Sequence, residues 1–192
     1  MKRYLLPGLF LLFSLQLFAQ HSKSGNSFEW TSKQLDWSDF KPRIEVPSQL
    51  DPNTVAYTLC SIDIKIISYD IRHVKMTVRA LFSPDESFVI AGRESASFLA
   101  HEQIHFDIAE LFARKVRKLL LSQHFKVDNF NEDYQMQVRK ITEEFVKAEK
   151  VYDLETNHSI NEEEQAAWSQ NILQELLDLA AYAGDEVDIY FN

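Results

Sequence analysis

RESASFLAHEQIHFDIAELFARKVRKLLLS, residues 93–122, is the stretch on which the reading of this chain turns. Phe98, Ile104, Ile108, Leu111, Val116 and Leu119 recur near helical spacing, and no proline follows Pro84, so the pattern predicts one long helix from about Arg93 to Ser122. Inside it His101 and His105 stand four positions apart, which puts both imidazoles on one helix face, one turn from each other, where they can bind a single metal ion. Glu102 follows the first histidine. In such a helix it falls beside a metal-activated water and not among the ligands, the position of a general base.

Upstream of this helix the period changes from about 3.6 to two. Ile62, Ile64 and Ile66 alternate with Asp63 and Lys65, and Val74, Met76, Val78 and Ala80 alternate with Lys75, Thr77 and Arg79. Two half-buried strands are expected, joined as a hairpin through Ser68 to His73, with a turn at Pro84–Ser87 and a short apolar piece at Phe88–Ile90. Before them, Trp30, Leu35, Trp37 and Phe40 sit among polar residues and read as core plugs, and Pro42, Pro47 and Pro52 mark an irregular connection.

Downstream, Tyr134, Val138, Ile141, Phe145, Ala148 and Tyr152 form one stripe of a second helix. A third is expected after His158, where Ser159 and Glu162 have capping-box spacing, running through Trp168, Ile172, Leu176, Leu177 and Ala180. The tail from Gly184 to Asn192 could add a strand. The expected fold class is therefore α+β, a small antiparallel sheet followed by three long helices, in a single domain over residues 21–192.

Residues 1–20 stand apart from that domain. Lys2 and Arg3 precede an apolar run from Leu5 to Phe18 that ends at Ala19 and Gln20, the layout of a cleavable secretory signal peptide. Pro7, Gly8, Ser14 and Gln16 interrupt the run, and it is short for a membrane span. A secreted or periplasmic location, with no stable membrane insertion after cleavage, is the expectation. The net charge of −9 argues against a nucleic acid partner, because it repels phosphate. The single cysteine, Cys60, cannot form an internal disulfide and reads as a small buried strand residue.

A catalytic zinc takes three protein ligands and keeps a fourth position for water, so HEQIH needs a third ligand from elsewhere. The spacing HExxHxxGxxH does not supply it, since Ile108 and Leu111 occupy the glycine and histidine positions. His158, at the turn between the second and third helices, is the preferred third metal residue, with Glu155 and Asp153 as reserves. His21, His73 and His124 are weaker candidates. Asp107 and Glu110 could orient a ligand imidazole or be solvated helix charges, and Tyr152 is more a core residue than an oxyanion donor.

The residues HEQIHFDIAELFAR from His101, VYDLETNHS from Val151 to Ser159, and the Gln165-Ala-Ala-Trp168 element resemble the DUF922-type family, grouped with predicted secreted zinc-dependent proteases. The resemblance implies a zincin-like fold, Zn2+ at His101 and His105, Glu102 as base, and a further ligand within YDLETNHS. The function expected is a secreted zinc-dependent metallopeptidase acting on a peptide or protein substrate. An edge strand around Val74 to Phe82 is expected to hold that substrate extended. Two rivals stand beside this reading: a non-catalytic secreted binding protein on a zincin scaffold, and a zinc amidase acting on cell-envelope material.

Overall fold

The computed structural model describes residues 26–30, 34–50 and 54–191. The expected signal segment and His21 lie outside the described residues. Among the described residues, no helix is long and apolar enough to cross a membrane.

Two small sheets come first along the chain. The strands are β1 (Phe28–Glu29), β2 (Lys41–Arg43), β3 (Ala56–Tyr57), β4 (Cys60–Tyr69), β5 (His73–Phe82), β6 (Phe88–Ile90) and, after the helices, β7 (Glu186–Tyr190). The expected hairpin is present: β4 and β5 pair antiparallel from Cys60↔Phe82 to Tyr69↔Val74, with an irregularity between Ile66 and Ser68. The tail adds the expected strand, with β7 antiparallel to the early half of β5 and β1 to its late half. The second sheet runs β2-β6-β3.

One expectation about the sheet is corrected here. The segment Val74 to Phe82 was expected to be a substrate-holding edge, but β5 is central, with β4 on one side and β1 and β7 on the other. Its main-chain groups are used in the ladder on both sides, so it offers no free edge for a peptide to join.

Three helices follow: α1 (Ala96–Ser122), α2 (Phe130–Thr156) and α3 (Glu162–Asp178). Gly92 takes a left-handed φ of 82° in the turn before α1, and Ser95 caps the helix by accepting the Phe98 N–H at 3.2 Å. The start of α3 differs from expectation: Asn161 caps it, accepting from the Glu164 N–H, while Ser159 sits in the preceding turn. A left-handed backbone at Ser159 is incompatible with the extended geometry an N-cap needs.

The helix α1 is buried on most of its surface, packed against β5, α2 and α3. Its Phe106, Ile108, Ala109, Ala113 and Val116 meet Val74, Met76, Val78, Ala80 and Phe82 of β5 in one core cluster. The residues expected to plug that core do so: Leu35 and Phe40 are buried in it, Trp30 and Trp37 pack partly buried against it, and Phe40 lies 5.2 Å from the Phe82 ring. A fully buried side chain of this cluster, such as Phe82 or Phe106, contributes roughly 1.5–3 kcal/mol by apolar burial.

Burial on several sides forces the charges of α1 to pair. Glu110 accepts from Arg114 Nε at 2.8 Å and from Arg117 Nη1 at 2.9 Å. Arg117 also donates to the carbonyl oxygens of Val78 at 2.8 Å and Tyr182 at 3.0 Å, which ties the C-terminal segment to α1 and β5.

Candidate metal centre

The second and third turns of α1 carry His101 and His105, and four-residue spacing sets their rings 4.9 Å apart and nearly perpendicular. Both are buried, His101 at 3% and His105 at 7% exposure. The last turns of α2 lie alongside, so the two Nε2 atoms each come within 3.1 Å of the same oxygen, Asp153 Oδ1. His101, His105 and Asp153 thus offer three ligand atoms within 4.8 Å of one another.

The far side of each ring is held as well. Glu149 Oε2 lies 2.9 Å from His105 Nδ1, and Gln165 Oε1 lies 3.0 Å from His101 Nδ1. A carboxylate only accepts, so the ring of His105 donates from Nδ1, and a neutral imidazole then directs a lone pair from Nε2. That lone pair points at another acceptor, the Asp153 carboxylate. A cation or a proton between them resolves the conflict, and two imidazoles with one carboxylate are a donor set that suits zinc.

The proton alternative shapes the charge state of the metal-free site. Burial lowers the pKa of His105, but the Glu149 charge and the hydrogen bonds with Asp153 and Glu149 outweigh it, leaving the imidazole well above the ordinary histidine value. Burial raises Asp153, yet the hydrogen bonds from His101 and His105 prevail and hold its carboxyl below the usual range. The site is therefore built to keep one positive charge among its acids.

Glu102 is 5% exposed, and its Oε2 has no hydrogen-bond partner among the described residues. Burial pushes its carboxyl above the ordinary glutamate range, partly offset by His105 and His101. A buried carboxylate oxygen without a partner is costly. It lines the same cavity as the histidines, where a water or substrate atom can satisfy it.

Tyr152 packs on this group from below: its ring stacks on His101 at 4.5 Å, and its hydroxyl lies 2.9 Å from Gln165 Oε1. It is fully buried and its hydroxyl faces Gln165 and the His101 carbonyl oxygen, so it belongs to the core, as expected from the sequence.

The cavity beside the cluster measures about 370 Å³. Thr54 to Cys60 form one wall, Phe145, Val146, Glu149 and Lys150 of α2 another. Cys60 is half-buried at the start of β4 and lines it as well.

The remaining sequence candidates are not among the three converging ligands. His158 lines the cavity with its Nδ1 3.4 Å from Asp153 Oδ1, but it is not one of the three converging ligands. Glu155 instead accepts from Trp168 Nε1 at 2.8 Å. His73 of β5 contacts Asp188 of β7 at 2.7 Å, and His124 is exposed past the end of α1. Neither carboxylate weighed as an imidazole support serves as one. Asp107 accepts from Trp30 Nε1 at 2.8 Å, and Glu110 is consumed by the two arginines. The supports are Glu149 and Gln165, which the sequence reading missed. A signal was present: Glu149 and Asp153 are spaced i, i+4 beside the apolar stripe of α2, as His101 and His105 are on α1.

No curated protein and no solved structure matches the chain. A family model described as "Bacterial protein of unknown function (DUF922)" matches residues 92–159. That stretch contains α1, α2, both histidines, Glu102, Glu149 and Asp153, and it is over this part that the chain is similar to the DUF922 family.

Proposed function

We propose that the protein is an exported zinc-dependent hydrolase of peptide bonds, with the metal held by His101, His105 and Asp153 and with Glu102 as general base. The observation that carries this reading is the convergence of both Nε2 atoms on Asp153 Oδ1, beside the unpartnered oxygen of Glu102. Asp153 replaces His158 as third ligand in this reading because its oxygen is the atom on which the pair converges. Zinc bound there would supply Lewis acidity and lower the pKa of a water to about 7.

The chain's own groups do the rest. Glu149 and Gln165 orient the two imidazoles through Nδ1. Glu102 takes the proton of the attacking water at its free oxygen and passes it to the leaving nitrogen. Its raised pKa suits both steps, since a base that must later act as an acid works best nearer neutrality. The cavity walls of Thr54–Cys60 and α2 flank the place where the reacting carbonyl would sit.

The test is zinc content per chain in the purified protein, run beside hydrolysis of proteins, peptides and wall fragments. Near-stoichiometric zinc that is lost in His101→Ala and Asp153→Ala, but retained without turnover in Glu102→Gln, is the expected pattern. Zinc with no turnover of any substrate would favour a binding protein, and turnover of wall fragments alone an amidase. Absence of zinc after reconstitution would sink the reading.

A further inference from the structure

The second helix ends in an unusual way. Asn157, His158 and Ser159 all take left-handed φ values, of 47°, 51° and 73°, and none is glycine. Side chains disfavour this region because Cβ crowds the following carbonyl, yet here three residues in succession adopt it. The surrounding structure enforces it: the His158 N–H donates to the Asp153 carbonyl at 3.0 Å, and the Asn161 N–H to that of Thr156 at 2.8 Å. Thr156 Oγ1 in turn donates to the Tyr152 carbonyl at 2.7 Å.

The His158 side chain is 43% exposed, yet it lines the cavity of the candidate metal centre. Its contact with Asp153 Oδ1, at 3.4 Å, is longer than an ordinary hydrogen bond and leaves Nδ1 uncommitted as a donor. The ring can therefore carry its hydrogen on Nε2, which has no partner among the described residues. Backbone strain retained at a half-exposed, cavity-facing side chain beside a cluster of ligand atoms marks a functional constraint.

We infer that His158 is a catalytic residue that contacts substrate and not metal: it donates a hydrogen bond to the oxygen of the scissile carbonyl as negative charge builds there. This rests on the hydrolase reading. The need is chemical, since attack of water on an amide places charge on that oxygen, and a donor fixed in advance is worth most at that moment. Tyr152 cannot serve, because its hydroxyl is taken up by Gln165 and the His101 carbonyl oxygen. Besides the two ligand histidines, His158 is a cavity-lining side chain with a ring nitrogen near the oxygen on which that pair converges, at 3.4 Å.

The experiment compares wild type with His158→Asn and His158→Gly, both of which tolerate left-handed backbone, by zinc content, steady-state hydrolysis of a peptide that the wild type cleaves, and affinity for a phosphinate analogue of that peptide. Both variants should keep their zinc, lose roughly 10²- to 10³-fold in kcat with little change in KM, and bind the phosphinate more weakly by a similar factor. His158→Gly should melt no lower than wild type, because it relieves the turn. Loss of zinc in either variant would make His158 a ligand and overturn this assignment alone, as would unchanged kcat. A wild-type chain without zinc or without any cleaved peptide would bring down the hydrolase reading, and this assignment with it.

Discussion

Removing the Glu149 carboxylate should weaken zinc binding without removing any atom that touches the metal. Its Oε2 lies 2.9 Å from His105 Nδ1, and it sits on α2 one turn before Asp153. A hydrogen bond to a charged group contributes about 1.5–3 kcal/mol, and every 1.4 kcal/mol is about a factor of ten. Glu149→Ala should therefore raise the zinc dissociation constant by roughly 10- to 150-fold, matching the usual range for outer-shell partners of a ligating histidine. Glu149→Gln keeps an acceptor but loses the charge, and should fall near the middle on a logarithmic scale, since neutral hydrogen bonds are about half as strong. Competition against a chromophoric chelator measures both variants at one pH. If Glu149→Ala binds zinc within about twofold of wild type, His105 is not oriented through Nδ1, and the lone-pair argument for a cation site fails with it.

Two further outcomes follow from the charges. The proton held on His105 stabilises the metal-free fold fully below about pH 6.5 and is lost as pH rises through its elevated folded value, whereas the Asp153 contribution is present above about pH 3.9 and is lost as pH falls. Zinc must displace the His105 proton, so the zinc-induced rise in melting temperature should grow as pH increases from about 5 to 8; a flat profile would contradict the shared site. Glu110→Ala leaves the guanidinium groups of Arg114 and Arg117 buried without their carboxylate, at 7% and 0% exposure, and should destabilise the fold by about 3–5 kcal/mol in urea unfolding. The same change should make residues 180–191 an early site of proteolysis, because Arg117 holds them through Tyr182 and Asp185; a loss under about 1 kcal/mol would refute the network's role.

Most of the elements were legible because periodicity is a local property of the chain. Alternation in 62–66 and 74–80 announced β4 and β5, and the long stripes announced α1 and α2. The histidine pair was legible for the same reason: four-residue spacing within one helix fixes its own geometry. Strand order was not, because pairing depends on which edges meet after collapse, so the centrality of β5 emerged only when β1 and β7 packed on its second side. The cap of α3 was misplaced because a three-residue left-handed turn has no glycine to announce it.

The sequence by itself determined that two histidines and a glutamate share a turn of one helix, that a sheet precedes it, and that acids and a further histidine wait near residue 153. Only the tertiary structure decided which of those groups face the pair. Packing α2 along α1 brings Asp153 Oδ1 to both Nε2 atoms, turns Glu155 outward to Trp168, and leaves His158 at the cavity wall. It also recruits Glu149 and Gln165, and assigns Asp107 and Glu110 to other partners. The reason is physical: spacing along one helix fixes which of its own residues share a face, but the rotation of one helix about its axis relative to another is set by the whole core they bury together.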